Sequence, residues 1–124
     1  MVQHTWERAC ESSARQVAVA TDDERIAEAV SAFGGQVVMT STDHRSGTDR
    51  LQEAAGSLGL GSDDIVVNLQ ADEPLLPASA IEQVAQNLEQ HGDMGIATLC
   101  EIIDTQAEIE DPNAVKVVLS LIHI

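Results

Sequence analysis

With 124 residues carrying 21 acids against six lysines and arginines, a formal charge of −15 at pH 7, the chain is one domain's worth of sequence and is poorly matched to nucleic acid or an anionic membrane surface. Aromatic residues make up only 2% of a chain that is 44% hydrophobic, with Trp6 and Phe33 as the large rings, so aliphatic side chains must build the core. Cys10 and Cys100 form no C-x-x-C pair and residues 1–15 hold no continuous apolar run, which excludes a disulfide framework, a signal peptide and a membrane anchor and predicts a cytoplasmic protein with reduced thiols.

Val2, Trp6, Ala9, Cys10 and Ser13 recur at helical spacing, with no capping residue before them. Residues 17–21 read as a short buried strand. Thr21-Asp22-Asp23-Glu24 then has capping-box spacing for a helix carrying Ile26, Ala29, Val30 and Phe33, which Gly34-Gly35 ends. Residues 36–40 give a second strand and 41–47 a polar loop, after which Leu51, Ala54, Ala55 and Leu58 form the apolar stripe of another helix. Residues 56–64 turn the chain back into the most apolar strand candidate, 65–69. A corner at 74–77 leads to a helix whose Ile81, Val84, Ala85 and Leu88 face the core before Gly92 stops it, and residues 94–103 and 114–121 complete the pattern as strands.

Strands alternating with amphipathic helices predict a three-layer α/β domain with a mostly parallel sheet and right-handed crossovers. Such a sheet is buried on both faces, yet this chain opens on a helix with no strand before it. The expectation is therefore an incomplete domain.

In open α/β sheets ligands bind where strands exit, and Asn68-Leu69-Gln70-Ala71-Asp72-Glu73-Pro74 puts an amide and a carboxylate at the exit of the third strand. Asp72 suits a hard cation that also holds a phosphate, and Gln70 can both donate to and accept from a polar ligand. The alternative is that both side chains satisfy backbone groups in a tight turn before Pro74. Ser46-Gly47-Thr48-Asp49-Arg50 combines cap spacing, a glycine that permits close approach and the N–H donors of a helix start; a plain cap and a ligand contact explain it equally well. Thr21 and Asp22, also at a strand end, are read as a cap with room for a ligand role. His44 is read as a loop histidine, because Asp43 and Ser46 are too close in sequence to build a triad with it. Gly59-Leu60-Gly61 lies between helix and strand, the wrong order for a phosphate cradle, and is a turn.

Four segments, Val19-Ala20-Thr21-Asp22, Thr42-Asp43-His44-Arg45-Ser46-Gly47-Thr48-Asp49-Arg50-Leu51, Val67-Asn68-Leu69-Gln70-Ala71-Asp72-Glu73-Pro74 and Asp111-Pro112-Asn113-Ala114-Val115-Lys116-Val117-Val118, together and in this order resemble the 3-deoxy-manno-octulosonate (Kdo) cytidylyltransferases. The resemblance implies a Rossmann-like nucleotide-diphospho-sugar transferase fold. It implies cytidylyl transfer from CTP to Kdo, giving CMP-Kdo and pyrophosphate for lipopolysaccharide synthesis, with Mg²⁺ as cofactor and a homodimer for the full-length enzyme. Position by position, Asp72 matches the metal ligand, Gln70 the residue that contacts the sugar acid, and Ser46, Gly47, Thr48, Asp49 and Arg50 part of the nucleotide pocket wall. His44 belongs to the same motif without an assigned role, Asn113 and Lys116 are expected to shape the sheet, and no further catalytic residue is assigned.

Two departures qualify the match. The family's first strand and its Arg- and Lys-bearing phosphate loop are not found, and the pattern stops near residue 119. Residues 1–119 are thus expected to form a partial cytidylyltransferase domain that lacks the first strand and the C-terminal half and is inactive alone, with 120–124 an unrelated tail. The rival within the class is a sialate or other sugar nucleotidyltransferase of the same fold. A rival from outside it is a receiver-like signalling module, suggested by the acidic run after residue 20 but lacking an aspartate at position 68.

Overall fold

The computed structural model describes residues 1–117. Helix α1 (Val2–Cys10) is followed by strand β1 (Ala18–Thr21), helix α2 (Glu24–Ala32), strand β2 (Gln36–Met39) and helices α3 (Gly47–Ser57), α4 (Ala78–Gln90) and α5 (Gln106–Glu110). β1 and β2 pair in parallel, in a register running from Ala18 opposite Gln36 to Thr21 opposite Met39, and the Thr40 amide extends the ladder by donating to the Thr21 carbonyl at 3.0 Å. With α2 as the crossover this is a βαβ unit, the element from which parallel sheets are built. Helices α2 and α3 both pack on the two strands, while α1 lies against α4. Among the described residues no helix is long and apolar enough to cross a membrane.

Each element has a local cause. Helix α1 begins at Met1 without a side-chain cap, as expected, and is held by what it touches: the Trp6 and Phe33 rings meet at 5.2 Å, and the buried Thr5 hydroxyl donates to the Ala71 carbonyl at 2.9 Å. Helix α2 ends where expected, with Gly34 at φ +83° and the Gly35 amide donating to the Val30 carbonyl at 3.0 Å. Its start differs from expectation. The cap is Asp23, which accepts the Arg25 amide at 2.9 Å, and not Thr21. Thr21 is still in the strand, its carbonyl committed to Thr40, and its hydroxyl accepts the Asp23 amide at 3.1 Å instead.

The sheet also differs from expectation. Residues 65–69 and 94–103, and the described part of 114–121, pair with no strand among the described residues. Residues 118–121 of the last candidate lie outside the described residues. The physical reason is that a strand exists by pairing, and these apolar runs lie uncovered: Ile65 is 40% exposed, Ile96 85% and Val115 93%. Asn113 and Lys116 accordingly serve a turn, both bonding to Asp111, and no sheet forms there. Helix α5 was not foreseen, although Thr105 caps it by accepting the Glu108 amide at 3.3 Å and donating to the Glu108 carboxylate at 3.0 Å, a capping-box spacing in plain view.

Two glycines give opposite expectations. A Cβ at Gly35 would sit 2.7 Å from Val30 Cγ1 and 2.8 Å from Phe33 Cε2, whereas one at Gly56, inside α3, meets nothing within 4 Å. Gly35→Ala should therefore cost about 1–3 kcal/mol by overpacking. Gly56→Ala should gain about 0.5–1 kcal/mol by removing backbone entropy from the unfolded chain. Urea midpoints of the two variants moving in the same direction would contradict this.

Candidate functional site

Because β1 and β2 are parallel, their carboxyl ends deliver side chains to one edge. Thr21, Asp22 and Asp23 leave β1 there, and Thr40 to Ser46 leave β2 there and lead into α3. Thr21 and Thr40 are both buried, and the Thr40 hydroxyl has no hydrogen-bond partner. Ser46 caps α3 by accepting the Asp49 amide at 3.2 Å and donates to the Asp49 carboxylate at 2.8 Å. Beside that cap the space is open, since a Cβ on Gly47 would meet nothing within 4 Å.

One turn into α3, the Arg50 guanidinium forks onto Asp22, with contacts of 2.7 and 2.9 Å. This parallel pair of charge-assisted bonds ties the helix to the end of β1. Three residues on, the Glu53 carboxylate accepts the Ser41 amide at 3.0 Å and the His44 Nε2 in a short contact, fastening the loop to the same helix. Arg50 draws the Asp22 carboxyl below its usual range, and the bonds from His44 and then Ser41 do the same for Glu53. Asp23 is lowered to about 2, first by the Arg25 side chain and then by the Arg25 amide.

The edge therefore contains more than was read from the residues alone. Asp22 and Glu53 were not recognised as a pair of anchors, and the acid that engages Arg50 is Asp22. Arg45 was also passed over. Arg8, Arg15, Arg25 and Arg50 are each paired with an acid, whereas Arg45, exposed and adjacent to Ser46, is in no ion pair among the described residues. Pairing of Asp22 and Asp23 with arginines also removes the open acidic pocket that a receiver module would need.

The second cluster lies on the segment after α3. Asp64 accepts the Gly61 amide at 2.8 Å and Arg15 at 2.5 Å, and the Thr5 hydroxyl holds the Ala71 carbonyl, so residues 65–71 are pinned at both ends. The Glu73 amide closes the following turn onto the Gln70 carbonyl at 3.1 Å. Backbone thus satisfies backbone, and the exposed Asp72 carboxylate enters no ion pair among the described residues. No group of three or more His, Cys, Asp or Glu residues suited to hold a metal occurs among the described residues. Asp72 offers a single exposed carboxylate, the kind of lone oxygen ligand that a hard cation takes when phosphate oxygens and water fill its other positions, and not the ligand set of a closed zinc site. Depressions along α4, lined by residues such as Leu88, His91 and Met94, lie apart from both clusters.

The lowered carboxylates set a pH dependence. Asp22, Asp23, Glu53, Asp64 and Glu82 all lie below their usual values in the folded chain, so each contributes stability above the ordinary carboxylate range and loses it as pH falls towards its folded value. Melting temperature should fall steadily between about pH 4, the ordinary value, and about 2, where Asp23 protonates. Asp23→Asn should flatten the acid end of that curve; an unchanged curve would remove Asp23 from the account.

A family model described as "Cytidylyltransferase" matches residues 1–122. Proteins named 3-deoxy-manno-octulosonate cytidylyltransferase are 58% identical over 118 residues in Pseudomonas fluorescens (strain SBW25), covering 95% of this chain and 46% of the relative, and 56% identical over 117 residues in Pseudomonas syringae pv. syringae (strain B728a), covering 94% and 46%. The chain spans about half the length of the curated relatives it matches. Among solved structures, a CMP:2-keto-3-deoxy-manno-octonic acid synthetase complexed with CTP superposes with a TM-score of 0.69 at 41% identity, over 75% of this chain and 38% of that one. The βαβ unit and its flanking helices are thus part of a Rossmann-like nucleotidyltransferase fold, and with the family model covering nearly every residue, the chain belongs to the cytidylyltransferase family.

Proposed function

We propose that this chain carries the CTP-handling edge of an enzyme that transfers a cytidylyl group from CTP to Kdo, releasing pyrophosphate. The observation that carries the reading is identity above 50% to Kdo cytidylyltransferases across the segments that build both clusters. In the proposed reaction the anomeric hydroxyl of Kdo attacks the α-phosphorus of CTP in line and pyrophosphate departs. Asp72 would hold the divalent ion, Mg²⁺ in this proposal; when bound, the ion supplies positive charge against the phosphate oxygens.

The chain's own residues have distinct tasks. Ser46, Gly47, Thr48 and Asp49 wall the nucleotide, with the open space before Gly47 admitting it closely. Arg50, held by Asp22, fixes that wall to the sheet edge. Gln70 offers its amide to the sugar acid, donating to one oxygen and accepting from a hydroxyl. A net charge of −15 opposes an anionic substrate, which is the reason a metal and local cations such as Arg45 are needed beside the phosphates. Two exposed free cysteines suit a cytoplasmic setting.

The test is pyrophosphate release by an enzyme of the relatives' full length carrying this sequence, with Kdo and with sialic acid as acceptors. Turnover with Kdo is expected. Release with sialic acid alone, or with neither, would overturn the reading.

A further inference from the structure

We propose that His44 and Glu53 form a latch that positions the loop of residues 41–46 for the nucleotide, without touching it; this deepens, and rests on, the reading that the loop walls the CTP site. Glu53 Oε2 takes both bonds, from the Ser41 amide at the loop's start and from His44 in its middle, while Ser46 fastens the loop's end as the cap of α3. The loop is therefore tethered at three points to one helix, and Arg50 ties that helix to β1. His44 is a sheltered partner, its side chain 20% exposed, so its bond to an ionised carboxylate counts for more than a surface ion pair. Turning residue 44 inward leaves Arg45 and Ser46 exposed on the edge where the nucleotide is placed.

A loop fixed before binding spares the ligand the entropy of ordering it. Removing either half of the latch should then raise KM for CTP about tenfold and change kcat by less than about threefold, because the loop contributes binding common to ground and transition states. His44 and Glu53 are positioning residues by this account. Glu53 takes both bonds, so His44→Ala combined with Glu53→Ala should cost no more than Glu53→Ala alone. His44→Gln keeps an N–H donor and should restore most of the affinity.

The experiment measures KM for CTP and kcat in an enzyme of the relatives' full length, alongside hydrogen exchange of the Ser41 amide. Ser41 exchange accelerated in both alanine variants, a shared KM increase and rescue by glutamine are the expected results. If Glu53→Ala does not fold, Glu53→Gln, which retains an acceptor for Ser41 without the charge, should raise KM by about threefold. Unchanged KM, fully additive losses, or a glutamine variant no better than alanine would overturn the latch. Failure of the unmodified enzyme to turn over CTP would instead sink the functional reading; Ser41 exchange unaltered by Glu53→Ala would sink the latch on its own.

Discussion

Replacing Asp72 by Asn in an enzyme of the relatives' full length is expected to lower kcat for CMP-Kdo formation by on the order of a hundredfold or more, since the charge stabilisation that metal coordination supplies to phosphoryl chemistry is several kcal/mol. The substitution is nearly isosteric, removing a charge while keeping one carbonyl oxygen. Asp72 is exposed, in no ion pair among the described residues, and followed by a turn that the Gln70 and Glu73 backbone closes unaided. Folding should therefore be indifferent to it, with stability changed by less than about 0.5 kcal/mol. That separation makes the test sharp: thermal melting and rate are measured on the same preparation, and raising the Mg²⁺ concentration should recover part of the lost rate. Equal rates in the two proteins would remove Asp72 from the site, and a parallel loss of stability would reassign it to structure.

How much of this was legible in the residues depended on the range of the interaction. The two paired strands, the helices α1 to α4 and the Gly34 stop rest on signals within a few positions of one another and were read correctly, and the Ser46 cap, one of two readings of its segment, is formed. Thr21 and Asp23 compete for the same cap within a few residues, and only the commitment of Thr21 to β1 decides between them. Residues 65–69 look like a strand because they are apolar, but pairing needs a neighbour that local composition cannot specify. The site divides in the same way. The Ser46 to Arg50 segment is proposed from its place after β2 and from resemblance, and Gln70 and Asp72 from resemblance, since the strand whose exit first drew attention to them does not form among the described residues. Asp22 and Arg50 are 28 residues apart, and Glu53 reads as an ordinary polar helix position until the fold brings Ser41 and His44 to it. The Thr105 to Glu108 cap is different, since its four-residue signature was available and passed over.

The second large effect is expected in the 124-residue chain itself, where Ile81→Ala should destabilise folding by about 2–5 kcal/mol. Low aromatic content forces an aliphatic core, and among the described residues only Val30, Val38, Ala54 and Ile81 are buried apolar residues. Ile81, 6% exposed, is the buried residue of α4, and α4 is the helix that carries Glu82, the carboxylate accepting the Ser13 hydroxyl at 2.7 Å beyond the end of α1. Truncating Ile81 removes its transfer free energy and leaves a cavity on the buried side of α4. A small domain has about 5–15 kcal/mol of stability in total, so a loss of this size should move the urea midpoint by a large fraction of its value. Ile102→Ala serves as the control, because Ile102 is 86% exposed and its truncation should shift stability by less than about 0.5 kcal/mol. Both variants add the same helix propensity change only if position 102 were helical, which it is not, so the comparison slightly favours the Ile81 variant and makes a large measured difference harder to obtain by accident. Equal midpoints for the two variants would mean that Ile81 is not buried in solution, and the packing of α4 described above would have to be abandoned.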